Sequence, residues 1–225
     1  MKKLLTLMIV VMMSAISFAQ NDVTKFLGIL VDGTVAEMKA KLMAKGFKEL
    51  PYSDQLEGTF NGEDVFVSIV ENQGKVWRIA VYDQNDRDVT NVRIRFNTLC
   101  SQFCKNTKYT ALKKEEDYWI PEGEDISFEL TVHNKRYEAA FSQQPTDTLT
   151  FKNLVYNALL LKYTPDQIHN PTHEQEEDMQ NIINNSVVDA MEKRSVWFMI
   201  YNNYGKYRIT MYYDNGYNRA NGEDL

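Results

Sequence analysis

The sequence predicts an α+β protein, with antiparallel sheets built from repeated helix-plus-hairpin units and helices packed on one face. Three observations lead there: helical stripes alternate with pairs of strand-like runs, short Asn- and Gly-rich turn signals join those runs, and one hairpin pattern occurs twice. In chain order, residues 21–31 (NDVTKFLGILV) read as a short opening strand. Thr34 and Glu37 have the spacing of a capping box, and Val35, Met38 and Leu42 form the stripe of a helix over about 35–45. Gly46 and Phe47 close it. Residues 55–82 read as a three-stranded antiparallel meander. Asn61-Gly62 suits a two-residue turn whose central positions both need φ > 0. Val65, Val67 and Ile69 share one face of the second strand, and Trp77, Ile79 and Val81 one face of the third.

Residues 91–105 fit a strand through Val92, Ile94 and Phe96, but Val92, Phe96, Leu99, Cys100 and Phe103 hold helical spacing for longer, which predicts a helix. Residues 126–132 and 136–142 pattern as another hairpin, with Ile126, Phe128, Leu130 and Val132 on one face. A helix is expected over 151–162, and a longer one from Asn170-Pro171-Thr172 to about Lys193, with Pro near its first position and acids at 174, 176, 177 and 178 beside its positive end. A last hairpin covers 195–213, turned at Asn202-Asn203-Tyr204-Gly205, and the polar tail 214–225 is expected on the surface.

The repeat aligns residues 65–75 (VFVSIVENQGK) without gaps on 196–206 (VWFMIYNNYGK). Both return strands carry Arg-Ile, at 78–79 and 208–209, but one residue out of step, and a one-residue slip exchanges the two faces of a strand. Duplication and convergent hairpin chemistry both account for it.

Residues 1–19 have the build of a secretory signal peptide: Lys2 and Lys3, an apolar run from Leu4 to Ile16, and Ser17 and Ala19 at the −3 and −1 positions of a cleavage site. The run is shorter than the roughly 20 residues that cross a bilayer. Cleavage leaves 20–225, a single α+β domain or two packed halves (20–110 and 111–225), and takes the charge from −6 to −8. No later segment is long and apolar enough to span a membrane, so the expected location is periplasmic or secreted. With 25 basic against 31 acidic residues and no basic cluster, nucleic acid is excluded as a partner.

Chemistry-bearing patterns are sparse. Cys100 and Cys104 stand four apart on the proposed helix and read as buried thiols rather than a disulfide. His169 and His173 flank Pro171 without a third ligand at diagnostic spacing, and the stretch from Asp83 lacks the Gly and Glu of a calcium loop. No nucleophile elbow, zinc-protease motif or phosphate loop is present, so no catalytic residue, metal ligand or cofactor is assigned. What stands out is aromatic. Strand 196–201 is apolar on both faces, Val196, Phe198 and Ile200 on one and Trp197, Met199 and Tyr201 on the other, and Tyr204, Tyr207, Tyr212, Tyr213 and Tyr217 crowd the same hairpin. Trp197, Tyr201, Tyr204 and Tyr212 are therefore the candidate contact residues, for a protein or a glycan. The leading expectation is a non-catalytic binding module. A hydrolase of envelope or other polymers using a carboxylate pair, and a metal-stabilised structural protein, are the alternatives.

The ending YDNGYNRANGEDL (213–225), with Phe26-Leu27-Gly28-Ile29, Asp32-Gly33-Thr34 and Lys45-Gly46-Phe47, resembles an uncharacterised family of secreted proteins from Gram-negative gut bacteria. The resemblance implies export and carries over no functional residue. The helix-then-hairpin layout is also similar to small envelope modules of the PepSY, BamE and beta-lactamase-inhibitor kind, an analogy of layout alone. Asp147-Thr148-Leu149 resembles a bacterial O-glycan acceptor, but a plain turn is the better account of so short a match.

Overall fold

The computed structural model describes residues 22–145, 148–220 and 222; the expected signal peptide lies outside them, as does Asp147 of the acceptor-like triplet. Ten strands are described: β1 (Lys25–Phe26), β2 (Ile29–Leu30), β3 (Lys48–Glu49), β4 (Leu56–Phe60), β5 (Glu63–Asn72), β6 (Lys75–Asp83), β7 (Tyr109–Ala111), β8 (Glu138–Gln143), β9 (Ser195–Asn203) and β10 (Lys206–Asp214). β1 and β2 form a small ladder, so the opening strand is a hairpin bent at Leu27-Gly28. The other eight strands make one antiparallel sheet in the order β3-β4-β5-β6-β10-β9-β8-β7. The described helices are α1 (Val35–Met43), α2 (Val89–Lys105), α3 (Glu115–Tyr118), α4 (Ile126–Val132), α5 (Thr148–Leu160), α6 (Pro165–His169) and α7 (His173–Glu192). The protein is thus α+β with antiparallel sheets.

Local chemistry explains most boundaries. Thr34 accepts from the Glu37 amide and the Glu37 carboxylate accepts from the Thr34 amide, completing the box that starts α1. Asn61-Gly62, Gln73-Gly74 and Tyr204-Gly205 all take positive φ, as tight hairpin turns demand. At α7 the cap is Thr172, paired with Gln175, so Pro171 precedes the cap instead of occupying the first turn.

Two expectations are corrected. Residues 126–132 are a helix, not a strand: the Asp125 carboxylate accepts from the Phe128 amide as an N-cap, and Ile126 is buried while Phe128 and Val132 are exposed. The tail is not wholly on the surface, because its start, 214–218, is tied into the fold. Asp214 and Asn215 are buried; Asn215 Nδ2 donates to Val31 O at 2.8 Å, and Asn218 Nδ2 donates to Asp32 Oδ1 and Val76 O.

α1 packs on β5 and β6, and α2 on β7, β9 and β10. Their stripes (Met38 and Leu42; Val92, Phe96, Leu99 and Cys100) share one core with Val67, Ile79, Met211 and Phe198. Phe198 lies 5.2 Å from Phe96 and 5.5 Å from Phe103 between ring centroids. Met179 and Ala190 of α7 and Leu159 of α5 are buried outside that core, so the insertion between β8 and β9 carries its own small cluster.

The repeat holds in register. A bulge at Val70/Glu71 loops out Trp77, so Ile79 lies opposite Ile69 just as Ile209 lies opposite Ile200. The apparent slip of the Arg-Ile pair is absorbed there. Trp77 is accordingly displaced from the buried face that Ile79 and Val81 share.

Candidate functional site

α1 and α2 cover one face of the sheet; on the other the large side chains are half-buried or exposed, while the small or paired Ala80, Thr210, Asp214 and Ser142 are buried, Ser142 against the end of α7. Period-two alternation assigns them. β9 supplies Trp197, Met199 and Tyr201, and β10 supplies Arg208, Thr210, Tyr212 and Asp214. β6 adds Arg78, Ala80 and Tyr82, and β5 adds Phe66, Ser68 and Val70. Ladder register then sets a row across four strands, Ala80–Tyr212–Trp197–Ala140, an aromatic ridge between two small residues.

The ridge is fixed from below. Trp197 and Tyr212 stack with centroids 4.1 Å apart at 24°. The Arg78 guanidinium lies 4.6 Å from the Tyr212 ring centroid and 4.3 Å from that of Trp77. Asp214 accepts from Arg78 Nε at 2.6 Å and Nη2 at 2.7 Å, a bidentate geometry, and from Trp197 Nε1 at 3.0 Å. One carboxylate therefore orients both the cation and the indole. A stacked aromatic pair of this kind contributes about 0.5–1.5 kcal/mol beyond its buried area. Burial, with Tyr82 close by, raises the Tyr212 hydroxyl above its ordinary range, so the ridge carries no phenolate at neutral pH. Arg78 also lies 5.4 Å from the Trp197 ring centroid, so the guanidinium sits beside the stacked pair and not across Tyr212 from Trp197.

Of the predicted contact residues, Trp197, Tyr201 and Tyr212 share this face, Tyr201 being 55% exposed opposite Arg208. Tyr204 stands apart at the tip of the β9–β10 turn, fully exposed. Tyr207 and Tyr213 point into the core, where burial holds the Tyr213 hydroxyl well above the usual range. Tyr217 belongs to the tail, with Lys193 Nζ over its ring. The sequence reading missed Arg78 and Asp214, and the second aromatic pair, Phe66 opposite Tyr82. The repeat was the available signal, since Phe66 aligns with Trp197 and each return strand has its Arg.

The remaining candidates resolve structurally. Cys100 is buried and Cys104 partly so; both are free, and burial pushes the Cys100 thiol up to about 12. His169 Nδ1 bonds to Pro165 O, and among the described residues no group of three or more His, Cys, Asp or Glu is arranged to hold a metal. Asp83 is buried between Arg87 (2.8 Å) and Arg95 (3.5 Å), yet burial outweighs both cations and raises its carboxyl. Asp83 Oδ1 and Arg95 Nε and Nη2 lack hydrogen-bond partners, which makes this cluster a weak point of the core edge.

A 570 Å³ concavity lies beside that cluster; there Glu63 pairs with Arg87, Asp86 with Arg208, and Asp88 caps α2. The larger concavity, 1140 Å³, opens over Phe60, Phe103, Tyr109 and Tyr213 at one end of the core. Its walls reach Asp22 and Pro145, where the described chain stops on either side.

Scans of protein-family models, curated proteins and solved structures find no match to this chain, so no family is assigned.

Proposed function

We propose that this chain is a secreted or periplasmic, non-catalytic interaction module that binds a protein through the uncovered face of its sheet. The observation that carries the reading is the asymmetry of the two faces. One is closed by α1 and α2 over buried side chains; the other bears Trp197, Tyr212, Tyr201, Met199, Phe66 and Tyr82, none of them buried. Large apolar side chains gathered on one exposed face mark interaction sites, and the four strands that carry them, about 4.8 Å apart with about five residues each, span roughly 330 Å² in plan. Trp, Tyr, Met and Arg are the residue types enriched where proteins meet. That mixture of residue types favours a protein over a glycan. The secretory location is supported by the build of residues 1–19.

The test is site-specific photo-crosslinking in the native envelope, with the crosslinker at 201, at 66 or, as a control on α1, at 43. Adducts from 201 and 66 that vanish in Trp197→Ala, with none from 43, are expected. Equal adducts from all three positions, or none from the face, would overturn the reading.

A further inference from the structure

We propose that the occupant of the uncovered face is a second copy of this chain. The inference deepens the binding reading above and rests on it. Its starting point is a local two-fold axis. With the bulge at Val70/Glu71 taken into account, Ile79 corresponds to Ile209, and Val81 therefore corresponds to Met211. Those two residues are paired with each other across the β6–β10 seam, so the axis passes between them, perpendicular to the sheet. The open-face pairs obey it: Phe66 opposite Tyr82 corresponds to Trp197 opposite Tyr212. The arginines obey it as well, Arg78 corresponding to Arg208, and each reaches an acid across the seam, although Asp214 and Asp86 are not equivalent positions.

The face thus presents an opposed aromatic pair and an arginine twice, related by half a turn. A homodimer closed face to face adds its own two-fold axis in the plane of contact. With the two axes combined, a contact made through the repeated aromatic pair or arginine recurs on the other hairpin and again on the partner. An asymmetric partner gains no such repetition. Charge points the same way. The chain carries −6 overall, but on this face Arg78, Arg208 and Arg136 are matched by Asp214, Asp86 and Glu138. A neutral face is where two acidic chains can approach. The area, roughly 330 Å² in plan from each copy, falls below that of standard specific interfaces, so the dimer is weak and transient.

Sedimentation velocity of the purified chain from about 5 to 500 µM reads this directly. A coefficient that climbs from monomer to dimer is expected. Met199→Arg and Ser68→Arg, which occupy equivalent places on the two hairpins, should each weaken association about tenfold or more, while Met43→Arg on α1 leaves it unchanged. Tyr201→Arg, at a more exposed site, is the substitute where either variant loses its native circular dichroism. A monomer at every concentration, or dimerisation indifferent to the face variants, overturns the proposal. A monomer whose positions 201 and 66 still crosslink to a foreign protein overturns the second-copy occupant and leaves the binding reading standing. Neither self-association nor crosslinks overturns both.

Discussion

In the first half of the sheet, β4 passes into β5 through two residues, Asn61 and Gly62; in the second half the matching strands, β8 and β9, are separated by residues 144–194. Each half nonetheless sets a helix, α1 or α2, before four antiparallel strands and places its last hairpin at the seam. The contrast shows that connection length does not define the fold. Hairpin register and the helix stripe against it do, and an insertion is accommodated where it supplies its own buried contacts. Long insertions cost little in loop entropy, since each doubling of length adds only about 0.6 kcal/mol. The halves also differ in core chemistry. At one repeat position the first half has Val67 and the second Phe198, both fully buried.

That position gives the largest expected effect. Phe198→Ala removes a ring packed against Phe96, Phe103 and Phe141 and should cost about 3–5 kcal/mol in urea unfolding. Val67→Ala, its counterpart, removes two methyl groups and should cost about 2 kcal/mol. Equal costs would mean that the two halves share one uniform core and that the comparison is superficial.

Next come the two cross-seam ion pairs. Asp214→Ala leaves Arg78, whose side chain is 21% exposed, without its bidentate partner and frees the Trp197 indole; a loss of about 2 kcal/mol is expected. Asp86→Ala breaks the corresponding pair with Arg208, which is solvated, and should leave the urea midpoint nearly unchanged. Trp fluorescence should shift in the first variant and not in the second. A reversed order would place the structural anchor of the face in the wrong half.

How much of this was readable follows from the range of each interaction. The capping box at Thr34 and Glu37, the Asn61-Gly62 turn and the two-sided strand 196–201 act within a few residues, and all were legible. Residues 126–132 were not, because Ile126, Phe128, Leu130 and Val132 alternate as a strand while Ile126 and Leu130 also satisfy i, i+4. The Asp125 cap and the burial of Ile126 decide for helix. Trp197 and Tyr212 were legible as contact residues from the hairpin alone, but their stacking was not. Arg78 and Asp214 were not, since they meet only when two hairpins 136 residues apart are laid side by side. Asn215 escaped for the same reason: a polar tail residue is fully buried because the carbonyl of Val31 needs its amide.

The insertion itself offers a smaller effect. Ser142 lies opposite Ser195, so replacing 144–193 by Asn-Gly would rebuild in the second half the turn used in the first. The variant should retain its strand signal and the Trp197 environment, with a modest fall in Tm from losing the Ser142–Met191 bond and the contact of Gly216 with Lys193. Loss of the cooperative transition would show that α5–α7 is part of the core and not an addition to it.

The smallest expected difference lies within one helix of the second half. Cys100 and Cys104 are one turn apart on α2, but Cys100 is buried in the shared core and its thiol is pushed up to about 12, whereas Cys104 is partly open. The thiolate is the reacting form, and at pH 8 the Cys100 shift lowers its fraction about a thousandfold from the ordinary value. Burial raises the Cys104 thiol too, with Glu115 adding to the effect, but solvent still reaches it. Labelling of the native chain by a thiol reagent should therefore be biphasic. Cys104 reacts first, and Cys100 reacts at a rate that tracks urea-induced unfolding. Raising the pH towards 9 should accelerate the first phase while leaving the second governed by opening of the core. If Cys100 labels as fast as Cys104, the packing of α2 against β9 and β10 is looser than the close contacts of Phe96 and Phe103 with Phe198 require, and Phe198→Ala should then cost no more than Val67→Ala.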